Sequence, residues 1–138
     1  MDGNIFYDNM VLIPWITYVI TIFLKWLFIK ITTWKIDIEN ALWSWWNPSV
    51  HSSIVVSLTT AIAIKYWINS DLFAISMVLT VIVIYDAINI RFEAWQHAAE
   101  INKTLWEKKY RESLWHLPHE MFVWSVVWIL VAGILSLF

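Results

Sequence analysis

Four long apolar runs dominate this chain, Met10 to Ile31, His51 to Ile68, Leu72 to Ile90 and Met121 to Phe138, and between them they leave little sequence for anything else. Each is about as long as the run of roughly 20 apolar residues that crosses the hydrocarbon of a bilayer. Backbone polar groups find no water there, so such segments must satisfy their hydrogen bonds internally, and that means helices. The expectation is an all-α fold: a single membrane domain over residues 1–138, an integral bundle of about four transmembrane helices. Composition agrees, with 60% hydrophobic and 14% charged residues and a mean hydropathy of +0.62, outside the balance of a soluble domain. Asp2 and Asp8 stand where a secretory signal carries basic residues, so the first run reads as a retained span. The chain has no cysteine, which excludes disulfides, thiolate nucleophiles and cysteine-ligated metals.

Four spans put both termini on one side of the membrane and the two long connections on the other. Chain order alone then gathers Lys25, Ser49, His51, Asp86, Arg91, His97 and His116 at one face. Lys25, Lys30, Lys35, Arg91, Lys103, Lys108, Lys109 and Arg111 share that side, eight of the nine basic residues, with Lys65 opposite. The positive-inside rule makes this face cytoplasmic. Residues 91–119 read as a polar helix continuing the third span and broken by Pro118. Its basic cluster from Lys103 to Arg111 suits anionic lipid headgroups.

The segment Trp45-Trp46-Asn47-Pro48-Ser49-Val50-His51-Ser52-Ser53 is a polar knot at the mouth of the second span. A helix start offers unpaired N–H groups and the positive end of the macrodipole, so an anionic oxygen is favoured there. Ser49 adds a donor and His51 a proton; a plainer role for His51 is to cap the helix or face interfacial water. Asp86, in an apolar helix end, calls for a cationic partner, Lys25 or Arg91. Lys25 alternatively snorkels to the interface. Helical offsets of three, four and seven put Glu93, His97 and Glu100 on one face with Asp86, which makes a metal site with His116 or His119 conceivable, although a solvated charged face is the simpler account.

Three ordered motifs resemble the divergent branch of the type 2 phosphatidic acid phosphatase superfamily. Trp45 to Ser52 aligns with the branch's Gly-Gly-Met-Pro-Ser-Ser-His-Ser. Asp86-Ala87-Ile88-Asn89-Ile90-Arg91-Phe92 matches its Asp-Ala-x-Gly-Val-Arg-Arg, and Ala94-Trp95, His97-Ala98 and Asn102 match its small-Gly pair, its Gln or His with Ala, and its later Asn. Leu114-Trp115-His116-Leu117-Pro118-His119-Glu120-Met121 matches Leu-Gly-His-x-Pro-x-Glu-Val. The resemblance implies a membrane-embedded, phosphatase-like protein that binds and hydrolyses a lipid or isoprenoid phosphate monoester, acting among membrane lipids with no cofactor, no metal and no nucleic-acid partner. It implies Lys25, Ser49 and Arg91 as phosphate-binding residues, His51 as general acid, and His97, six residues after Arg91, as nucleophile, with Asp86 in the catalytic set. Asn102, His116 and Glu120 are implied as supporting residues. The Asp that the wider superfamily places four residues after the nucleophile is Ile101 here, so a non-catalytic protein that binds or handles phospholipid headgroups is the alternative.

Glycine and tryptophan are the other anomaly. The chain has 2 glycines and 12 tryptophans, where ordinary usage predicts roughly ten glycines. Trp45, Trp46, Trp95 and Trp115 stand where the resembled branch has glycine, and Trp124 and Trp128 fall in a span that it fills with glycines. The expectation is that several of these tryptophans are UGA codons that the native organism reads as glycine.

Overall fold

The computed structural model describes residues 5, 9–33, 48–107, 109–110, 112 and 116–137. The connection at 34–47, with Trp45 and Trp46, lies outside them, as does Trp115. Among the described residues the fold is all-helical: α1 Leu12–Thr33, α2 Val50–Tyr66, α3 Asp71–Tyr85, a five-residue π-helical segment Asp86–Ile90, α4 Arg91–Leu105 and α5 Pro118–Leu135. The stretches Leu12–Ile31, Asp71–Leu105 and Pro118–Leu135 are long and apolar enough to cross a membrane; α2 is apolar but shorter, at 17 residues.

The bundle is built around α2, which packs against α1, α3 and α5. Its sequence explains why. Ser52, Ser53, Val55, Val56, Ser57, Thr59, Ala61 and Ile62 are all buried, and small side chains let neighbouring helices approach closely where lipid provides no hydrophobic drive. Large apolar residues point outward instead: Val19, Phe23, Ile75, Val78, Phe122 and Leu130 are exposed. Such a surface suits hydrocarbon rather than water.

Buried hydroxyls are satisfied locally. Thr17 donates to the Ile13 carbonyl at 2.7 Å, Thr21 to Thr17 at 2.6 Å and Ser53 to Val50 at 2.7 Å. Across the α2/α3 seam, the hydroxyls of Thr59 and Thr80 lie 2.8 Å apart, with the carbonyls of Ser76 and Val55 at 3.1 and 3.2 Å. These hydroxyls tie the two helices together at a depth where water cannot compete.

Two helix boundaries differ from the sequence expectation. The polar helix stops at Leu105 rather than reaching Pro118. Trp106 turns the chain in the left-handed region (φ 55°), and Glu107 N–H closes on the Asn102 carbonyl at 3.3 Å. Pro118 does not break a helix but opens α5, where its fixed φ is favourable and its missing N–H costs nothing. The Glu120 carboxylate accepts the Leu117 N–H at 2.9 Å and completes that start.

Candidate functional site

Five segments deliver polar groups to one end of the bundle. α2 begins there. Ser49 is its N-cap, 1% exposed, and its hydroxyl oxygen accepts the Ser52 N–H at 3.4 Å. The Ser49 proton is left for donation, and the first-turn N–H groups have no acceptor within their own helix. His51 projects from that turn and is exposed. From α1 comes Lys25, 3% exposed. It is buried among helices rather than reaching along α1 to the interface, so the snorkelling alternative does not describe it.

The π-segment contributes the ion pair. Arg91 Nε lies 3.1 Å from Asp86 Oδ2, so Arg91 is a partner of Asp86. One wide turn separates them, and single π-turns inside α-helices recur at functional sites. The wider turn also changes what lies downstream. Glu93, His97 and Glu100 no longer share the face of Asp86, and no three His, Asp or Glu side chains among the described residues are grouped to hold a metal ion. Glu93, His97, Glu100 and His119 are exposed, and Glu100 faces Lys103 at 4.0 Å.

His116 arrives on the connection into α5. Its peptide N–H donates to the Ala87 carbonyl in the π-segment at 3.4 Å, and its side chain is 5% exposed, with Nδ1 buried and without a hydrogen-bond partner. Burial pulls its imidazole down from 6.5 to about 4; Glu120 acts in the opposite sense, while Lys25, Arg91 and His51 add to the depression. The ring is neutral at physiological pH. Lys25, Arg91 and Asp86 are likewise the charges felt at His51. Lys25, His51, Asp86, Arg91, His116 and Glu120 thus form one electrostatic cluster, and His97 is not among the charges acting on either histidine.

Asn102 is 5% exposed and acts one step away. Its amide donates to the Tyr110 carbonyl at 2.7 Å and to Glu112 at 2.8 Å, and it accepts the Tyr110 N–H at 2.8 Å. It clamps the returning connection on which His116 travels. Beside the ion pair a pocket of about 420 Å³ opens, lined by His51, Asp86 and Arg91 together with Val81, Ile82 and Ile90, and its surface is almost entirely apolar. The sequence held no sign of the π-turn; it placed His116 at this face by chain order and marked it again through the third motif.

A bundle with apolar outer faces and a cluster of paired charges and histidines at one end defines a small integral membrane protein. The family model of the Divergent PAP2 family matches residues 6–131, and the chain belongs to that family. It is 32% identical over 111 residues to the membrane protein YuiD of Bacillus subtilis, an alignment that covers 66% of this chain and 70% of that protein. No solved structure matches it.

Proposed function

We propose that this protein binds the phosphate of a lipid or isoprenoid phosphate monoester at the cluster around Ser49, His51 and Arg91 and hydrolyses the ester. The observation that carries the reading is the convergence of two buried or half-buried cations, Lys25 and Arg91, with a helix start and two histidines at one end of the bundle. Phosphoryl transfer needs little beyond positioning and charge stabilisation, and this set supplies both. Lys25, Arg91 and the start of α2 hold the phosphate oxygens, Asp86 orients Arg91, and His51 protonates the departing alkoxide. The largely apolar pocket beside the Asp86/Arg91 pair supports a substrate with a hydrocarbon portion. The site faces the cytoplasm of a bacterial cell, in line with the basic residues at that end.

A second reading is headgroup binding without ester cleavage. It draws on Ile101, which occupies the position of the superfamily's orienting Asp, and on the exposure of His97. Phosphate release from detergent-solubilised lipid phosphates decides between the two. Turnover that disappears in His51→Ala supports hydrolysis; binding of the same lipids with no turnover above that control leaves the headgroup-binding reading.

A further inference from the structure

We propose that the second imidazole of the site is His116, on the connection into α5, rather than His97. The inference rests on the phosphate-binding reading above and names the group that meets the phosphorus. A buried ring nitrogen without a partner is costly unless something else satisfies it. His116 Nδ1 is such a nitrogen, in the cluster that holds Lys25, Arg91 and His51, and the Ala87 carbonyl anchors its backbone between the two members of the ion pair. His97 has neither the burial nor the company. In the hydrolytic step the Nδ1 lone pair forms the N–P bond as the P–O ester bond breaks, and protonated His51 gives its proton to the leaving oxygen. Water then attacks phosphorus, the N–P electron pair returns to Nδ1, and neutral His51 takes a proton from that water. The sum is monoester plus water giving alcohol plus inorganic phosphate. Glu120 stabilises the positive charge that the ring carries while phosphorylated.

The test is orthovanadate titration of purified protein with ¹⁵N-labelled histidine, together with His116→Gln and His97→Gln. Expected are a shift of the His116 Nδ1 resonance with occupancy, at least tenfold weaker binding in His116→Gln, and less than twofold change in His97→Gln. The resonance shift is read on the unmutated chain, so it stands even if His116→Gln does not fold. A shift at His97 with none at His116 overturns the assignment. Failure of the unmutated protein to bind vanadate overturns the phosphate reading itself, and His116 with it.

Backbone angles bear independently on the chain's own composition. Two described non-glycine residues have positive φ, and both are tryptophan: Trp67 at φ 65° and ψ 158°, and Trp106 at φ 55° and ψ 21°. The first lies in a backbone region that is essentially glycine's alone. The second is the residue after a helix whose following N–H closes back on Asn102, the place where helices most often use glycine. Tryptophan is 12 of 138 residues, yet it takes both positions.

Trp128 adds a third sign, for its ring is wholly buried with its indole N–H unpartnered. It packs with Val55 and Val56 of α2, and one turn further Ala132 packs with Ala61. Every fourth residue before Ala61 gives Ser57 and Ser53, both buried; every fourth before Ala132 gives Trp128 and Trp124. Small residues every fourth position on both helices are how membrane helices achieve close approach. The backbone and packing together assign glycine to positions 67, 106, 124 and 128, so the native organism reads these codons as glycine.

Peptide sequencing and intact mass of the protein from its native membrane test this. Glycine at all four positions is expected, with an intact mass lowered accordingly. Tryptophan at 67 and 106 overturns the assignment, and tryptophan at 124 and 128 overturns its α5 part.

Discussion

The Arg91 guanidinium meets the Asp86 carboxylate at 3.1 Å across a π-turn, a five-residue reach that an α-helix does not make. The same turn presents the Ala87 carbonyl to the His116 N–H. Side chains of the pair are 29% and 37% exposed, so its own contribution to stability is small. Deleting Asn89, which lies within this turn, should restore an α-helix, rotate α4 and remove the His116 anchor. The expected result is a folded bundle with at least tenfold weaker vanadate binding; unchanged binding in the deletion variant would show that the π-turn has no part in the site.

His116 makes stability depend on pH. Its folded-state value is about 4 against an ordinary 6.5, so between those values the unfolded chain binds more protons than the folded one. The contribution is fully present above pH 6.5 and is lost as pH falls toward 4. Burial is the main cause, with Lys25, Arg91 and His51 acting in the same direction and Glu120 against. At about 1.4 kcal/mol per unit the total is about 3 kcal/mol. Denaturant titration in detergent should show that slope, and His116→Gln should flatten it.

The Thr59/Thr80 pair offers a test of the α2/α3 seam. Two hydroxyl protons there serve three close oxygen contacts, so the groups act as a unit. Thr80→Val is expected to destabilise the protein by about 0.5–1.5 kcal/mol, in the range of interhelical hydrogen bonds in membranes. Thr59→Val added to it should cost less than the same change alone, which a double-mutant cycle in detergent unfolding measures.

The apolar runs made the all-helical membrane fold legible in the sequence, because only helices or closed barrels satisfy backbone groups in lipid. Ser49 at a helix start and Asp86 beside Arg91 were legible from spacing and from the cost of a carboxylate in an apolar helix end. The fate of Lys25 was not, since burial depends on which neighbours close over it. Counting helical offsets from Asp86 failed at Glu93, His97 and Glu100 for a definite reason: one π-turn shifts the phase of everything downstream, and nothing in Asp86-Ala87-Ile88-Asn89-Ile90 announces it. Pro118 was ambiguous by nature, because a proline ends one helix and starts another with equal ease. The glycine deficit was visible in composition, but positions 67 and 106 emerged only from backbone angles.

Asn102 is the residue whose loss should separate positioning from chemistry. Its amide makes three hydrogen bonds to Tyr110 and Glu112 from a site 5% exposed, and it is not among the groups acting on His51 or His116. Asn102→Leu removes those bonds and leaves the Tyr110 backbone groups to find water, at a cost of about 1–3 kcal/mol confined to the connection. Hydrogen exchange at residues 109, 110 and 112 should accelerate while the amides of α2 stay protected. His116 rides on the same connection, so vanadate binding should weaken several-fold, short of the tenfold or greater loss expected of His116→Gln. Asn102→Asp should restore part of the effect, since it keeps the acceptor for the Tyr110 N–H but sets a carboxylate against Glu112. Loss of vanadate binding with unchanged exchange in the connection would mean that Asn102 acts on the phosphate directly.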